Sequence, residues 1–111
     1  MVRVHIERSV PGREVRSFTM EGHADFAEAG KDIVCAGASA IAVGTVNAIE
    51  ALLGVGLEAR MRSGYLAAEV PETGDPARNK DVQLLLEAMV VMLRTIEQSY
   101  GKHIRIQDHM K

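Results

Sequence analysis

At 111 residues, with 47% hydrophobic and 25% charged side chains, the chain has apolar material for one core and too little length for two, so a single domain over residues 1–111 is expected. Thirteen basic against fifteen acidic residues leave a net charge of −2. With two Phe, two Tyr and no Trp, neither a cationic field nor a stacking platform points to direct nucleic-acid binding. One cysteine excludes an intrachain disulfide, and the start Met-Val-Arg-Val-His-Ile-Glu lacks the apolar run of a signal peptide, so a reducing, cytoplasmic setting is expected.

Val2, Val4 and Ile6 alternate with Arg3, His5 and Glu7, a period of two that predicts a half-buried strand, and Pro11-Gly12 marks a turn after it. Residues 13 to 21 mix polar and apolar less cleanly. Val15, Phe18 and Met20 suit a second strand that forms a hairpin with the first, and Gly22 ends it. Residues 24 to 32 carry Asp25, Glu28 and Asp32 against one Lys31, with Gly30 giving backbone freedom, and read as a mobile cover.

From Ile33 to Leu53 the chain is uncharged except for Glu50 and apolar on nearly every face. This predicts a central helix in contact with neighbours all round. Its Ala, Gly, Ser39, Thr45 and Asn47 keep it well below the hydropathy of a Leu-rich membrane span, so a buried helix is the expected state. Gly54-Val55-Gly56 stops it. Residues 57–62 and 65–70 then read as a second hairpin about Ser63-Gly64, with Leu57, Ala59 and Met61 on a buried face. The two prolines of residues 71 to 80 predict a loop in which Asn79 caps a following helix over 80–100.

That helix places Val82, Leu85, Leu86, Met89, Val90, Leu93 and Ile96 at amphipathic spacing, while Leu84, Val91 and Met92 widen the apolar surface beyond one stripe and suggest a dimer interface. Residues 103–109 alternate again as a last strand. The order is ββαββαβ, an α+β domain whose sheet packs against one buried central helix and one amphipathic helix.

The chemistry concentrates in residues 22 to 40. If Asp32 caps a helix that begins at Ile33, Cys35 falls in its first turn, where unpaired N–H groups and the helix dipole favour an anion. His23, twelve residues earlier, supplies a base that can later act as an acid. A lone cysteine in an apolar helix is also commonly an inert core residue, and spacing alone leaves both readings open.

Gly22-His23-Ala24 followed by Gly30-Lys31-Asp32-Ile33-Val34-Cys35-Ala36-Gly37-Ala38-Ser39 resembles the signature of the ribosomal-processing cysteine protease family, Prp, over nearly the whole chain. The resemblance implies a homodimeric endopeptidase that removes the N-terminal extension of the large-subunit ribosomal protein of the L-twenty-seven family. It implies Cys35 as nucleophile and His23 as base, with Asp32, Ser39 and Gly22 as supporting positions. The helix start reads Cys-Ala-Gly-Ala-Ser where Cys-Ala-Ala-Val-Ser is a familiar form, a change between small residues.

In that reading the Cys35 thiolate attacks a peptide carbonyl and His23 protonates the departing amine. N–H groups of the helix start, Cys35's among them, are candidate oxyanion donors. Asp32 either caps the helix or orients His23, and the cap is sufficient. Ser39, one turn beyond Cys35, either supports the site or bonds back to the Cys35 carbonyl, with the local bond favoured. Glu21, Asp25, Glu28 and Asp32 against Lys31 predict a site that attracts a cationic segment, with Asp25 and Glu28 as substrate contacts. No cofactor is expected.

Three rival readings remain. The first is a non-catalytic, ribosome-associated domain that binds a basic ribosomal-protein tail. The second is a metal site from His5, His23, His103 and His109, which lack helical i, i+4 spacing and any Cys-x-x-Cys companion, so that no metal is expected. The third is a redox sensor, which lacks a nearby resolving cysteine.

Overall fold

The computed structural model of the chain describes residues 1–22 and 32–110. The elements run β1 (Val2–Arg8), β2 (Val15–Glu21), α1 (Ile33–Leu53), β3 (Glu58–Arg62), β4 (Tyr65–Glu69), α2 (Pro76–Tyr100) and β5 (Ile104–Met110), the expected ββαββαβ order. They form one mixed five-stranded sheet in the order β3-β4-β2-β1-β5. All neighbours are antiparallel except β1 and β5, which pair in parallel from Val2↔Ile104 to Arg8↔Met110.

One face of this sheet makes the core. Val2, Val4 and Ile6 of β1 point inward beside Ile104 and Ile106 of β5, Phe18 of β2, and Leu66 and Ala68 of β4. Burying a side chain such as Ile6 or Phe18 contributes about 1.5–3 kcal/mol relative to leaving it in water. The imperfect alternation of β2 has a structural cause. The register shifts at Glu7/Arg8, so Val15 and Phe18, three residues apart, both face the core.

Both helices cover the same face. From α1, Val34, Ala38, Ala42, Thr45 and Ile49 are buried, a stripe at spacings of three and four. The all-round contact expected for this helix is therefore not met among the described residues: Ile33 is 56% exposed and Leu52 72%. By length and composition α1 would suffice to cross a membrane, but its buried stripe belongs to the same core as the sheet. Its end is fixed by Gly54 in the left-handed region at φ 67°, whose N–H reaches the Glu50 carbonyl.

Two further expectations are corrected. The second helix starts at Pro76, four residues before the expected start, because Asp75 caps it by accepting from Ala77 N and Arg78 N and proline suits the first helical position. Asn79 lies inside the helix instead, where its side chain accepts from Thr73 N and Thr73 Oγ1 and donates to Glu72. That bond, with a second from Gly74 N, holds the Glu72 carboxyl below its ordinary range. Strand β3 is exposed along its whole length, so the expected buried face is missing. It is the edge strand beyond β4, and Met61 is 63% exposed.

α2 buries Val82, Leu86, Met89, Val90 and Leu93. Side chains lock it to the sheet: Gln83 accepts from Val15 N and donates to the Val15 carbonyl, and Glu97 accepts from Ile106 N. Arg8, at the inward-facing end of β1, is 6% exposed and joins three elements. Its guanidinium bonds both oxygens of Glu87 on α2, Asp108 Oδ1 on β5 at 2.8 Å and the Arg13 carbonyl at 3.0 Å. The hydrogen bonds to Glu87 are the largest reason the guanidinium is held above its ordinary range, with Asp108 adding to them against the opposing effect of burial.

Candidate active site

The start of α1 is built by its cap. Asp32 has extended backbone geometry, φ −77° and ψ 96°, and its Oδ1 accepts from Cys35 N at 3.0 Å, while its carbonyl accepts from Ala36 N. This puts Cys35 in the first helical turn, half-buried, with the free thiol that the sequence requires.

The same bond corrects one expectation about the chemistry. The Cys35 N–H is committed to Asp32, so it is not a ready oxyanion donor in this state. Among the described residues the N–H groups of Ile33 and Val34, orphaned by helix geometry, have no acceptor and are the available donors.

Cys35 opens into a small cleft of about 120 Å³. One wall is α1, where Cys35, Ser39 and Val43 recur every four residues on a single face. The floor is Val2 of β1 with Met20 of β2 and Leu66 of β4, and the opposite wall is the β3–β4 turn with Met61, Arg62, Gly64 and Tyr65. The cleft is apolar at its base. The guanidinium of Arg62 lies 4.6 Å over the Tyr65 ring, adding a cation to the rim.

Gly22 completes the lining and is glycine for two reasons. Its φ is +89°, and a Cβ there would collide with the main-chain carbonyl of Met1. Its N–H also donates to the Gly64 carbonyl at 2.8 Å, so the end of β2 is tied to the turn that forms the far wall.

Gly22, Asp32, Cys35 and Ser39, separated by up to seventeen positions in the sequence, are thus gathered at one end of the sheet. The local Ser39 bond favoured from sequence is absent among the described residues. Thr45 and Thr95 make such back-bonds to Ile41 and Val91, but Ser39 does not, and it lines the cleft. His23, Asp25 and Glu28, along with residues 24–31 of the cover expected over 24–32, lie outside the described residues. Sequence reasoning missed Val2, Met61, Arg62 and Tyr65, because only the long-range pairing of β2 with β1 and β4 brings them to Cys35. Among the described residues no group of three or more His, Cys, Asp or Glu could hold a metal ion.

Comparison with known proteins places this arrangement. Residues 1–105 match the family described as Cysteine protease Prp. The ribosomal processing cysteine protease Prp of Bacillus subtilis (strain 168) is 43% identical over 108 residues, covering 96% of each chain. Two crystal structures of an essential ribosomal processing protease Prp from S. aureus, one with a covalently linked product peptide and one with a substrate peptide, are each 36% identical. Both cover 98% of this chain and 100% of the other, with TM-scores of 0.88 and 0.83. At this coverage and identity the chain belongs to the Prp family of ribosomal-processing cysteine proteases.

Proposed function

We propose that the chain removes the N-terminal extension of the large-subunit ribosomal protein of the L-twenty-seven family, with Cys35 as nucleophile and His23 as general base and acid. The observation that carries this reading is Cys35 in the first turn of α1, held there by the Asp32 cap and facing the apolar cleft. The S. aureus relative with a covalently linked product peptide supports a covalent route.

The Cys35 thiol passes its proton to His23 as the sulfur attacks the scissile carbonyl, and a tetrahedral oxyanion forms near the helix start, where the Ile33 and Val34 N–H groups and the dipole favour negative charge. On collapse the C–N bond breaks, His23 gives its proton to the departing amine, and the extension remains as a thioester on Cys35. Water then attacks, His23 takes its proton, and the free carboxylate leaves as the thiol is restored. Ser39 and Gly22 shape the cleft, and Asp32 acts through the cap. Asp25 and Glu28 attract the basic segment of the substrate.

The enzyme acts as a cytoplasmic homodimer through α2. Leu84 (68% exposed) and Val91 (65%) lie on the α2 surface, and Ala40, Gly44 and Ala48 of α1 with Leu85 and Met92 of α2 line an apolar groove of about 360 Å³. Mass spectrometry of the extended ribosomal precursor incubated with the protein tests the function. One defined cut near the precursor's N-terminus is expected, and an intact precursor that still binds would favour a non-catalytic binding domain instead.

A further inference from the structure

The chain carries six methionines, and their sulfurs differ widely in access to solvent. Met89 is buried in the core, Met1 and Met20 are half-buried, Met92 and Met110 are 42% and 47% exposed, and Met61 is the most open at 63%. The fold accounts for that place. The register of the β3–β4 hairpin sets Met61 opposite Leu66, which is buried on the helix side of the sheet, so Met61 faces the same side. Because β3 is the edge strand, its side chain meets the cleft instead of a covering helix. There it stands across from Cys35, Ser39 and Val43 of α1. Met92 lies in the groove between the helices and Met110 at the end of β5, so only Met61 combines high exposure with a position in the cleft.

We infer that Met61 is an oxidation site that controls substrate binding: a hydroperoxide converts its thioether to the sulfoxide, and the altered wall holds the substrate less tightly. The inference rests on the proteolytic reading of this cleft. In the reaction the sulfur lone pair attacks one peroxide oxygen and the O–O bond breaks. The other oxygen leaves as hydroxide, takes the proton from the new S–OH group and departs as water. The sulfur is oxidised by two electrons and the peroxide is reduced by two.

The product turns a flexible apolar side chain into a polar one. Val2, Met20, Val43 and Leu66 at the apolar base supply no side-chain donor for the new oxygen, and the Arg62 guanidinium is placed over the Tyr65 ring. A substrate side chain seated against the sulfoxide strips its water without replacing the hydrogen bond, which should raise the dissociation constant at least about fivefold. Methionine sulfoxide reductases return the thioether, so the change is reversible.

The test is binding of a fluorescent peptide spanning the precursor's cut, measured by anisotropy with Cys35→Ala, which is neither oxidised at the thiol nor able to consume the peptide. The protein is treated with hydrogen peroxide, the peroxide is removed before the peptide is added, and peptide mapping by mass spectrometry locates the added oxygen. Oxidation at Met61 with the stated loss of affinity is expected, as is recovery on treatment with the reductases. Adding Met61→Leu should make the affinity the same before and after peroxide, Met61→Gln should bind weakly without any treatment, and Met92→Leu should keep the full peroxide effect. Unchanged affinity in protein oxidised at Met61, or a peroxide effect that persists in Met61→Leu, would overturn the assignment. If the native chain still cuts the peptide, either result removes this site alone and leaves proteolysis standing, whereas a peptide neither cut nor bound would remove both.

Discussion

The bond from Cys35 N to Asp32 Oδ1, 3.0 Å long, separates two roles for Asp32 that substitution can distinguish. As a cap, the carboxylate supplies one acceptor to one orphan N–H, and asparagine supplies the same acceptor at nearly the same worth. Asp32→Asn should therefore leave stability within a few tenths of a kcal/mol, whereas Asp32→Ala should lose about 1 kcal/mol, within a range of about 0.5–2. If Asp32 instead oriented the catalytic histidine, the Asn variant would suffer far more, since loss of an orienting carboxylate in a triad costs about 10⁴-fold in kcat. The cap account predicts that Asp32→Asn keeps kcat/KM within about tenfold of the parent, roughly 1.4 kcal/mol of barrier. Urea denaturation followed by circular dichroism gives the first quantity, and steady-state cleavage of a peptide spanning the precursor's cut gives the second. An Asp32→Asn protein as stable as the parent yet as inactive as Cys35→Ala would refute the cap-only role.

Arg8→Met should destabilise the fold by about 2–3 kcal/mol. Breaking a buried ion pair costs about 3–5, and the figure is discounted here because the Glu87 side chain, 46% exposed, can regain water. A denaturation midpoint moved by less than the equivalent of about 0.5 kcal/mol would show that Asp108 and Glu87 do not depend on Arg8. Gly22→Ala should cost about 1–3 kcal/mol, from φ +89° and the collision with the Met1 carbonyl, and should also slow cleavage because the displaced segment lines the cleft; parent-like melting and turnover would contradict this. Asp25→Asn with Glu28→Gln should raise KM for a basic substrate and flatten its dependence on salt, since dissolved ions screen attraction between opposite charges. Identical salt profiles for parent and variant would remove the electrostatic role.

Much of the fold was legible wherever an element carries a local period or a cap. Val2, Val4 and Ile6 alternate, the α2 apolar residues recur at three and four, and the Asp32 cap fixed the start of α1 to the residue. The misplaced start of α2 came from reading Pro76 as a loop residue, when proline directly after an Asp cap favours the first helical turn. The exposure of β3 was invisible for a different reason. Alternation marks a strand but not its place in the sheet, and an edge strand beyond the helices' cover buries little. Composition likewise overstated the burial of α1, because small apolar residues such as Ala36, Ala40 and Gly44 tolerate both solvent and contact. At the site, the local motif named Gly22, Asp32, Cys35 and Ser39, while Val2, Tyr65 and Arg62 required the sheet order to become neighbours. The Arg8 network joins residues up to a hundred positions apart, and no periodicity encodes such a pairing.

The claim on which the account rests is that Cys35 carries the cleaved segment as a thioester. Intact-protein mass spectrometry of the enzyme, acid-quenched soon after mixing with excess precursor, measures this directly. The account predicts a transient increase equal to the acyl mass of the extension, mapped to Cys35 by digestion and absent from Cys35→Ala, which leaves the precursor whole. Cleavage at the parental rate by Cys35→Ala would contradict it.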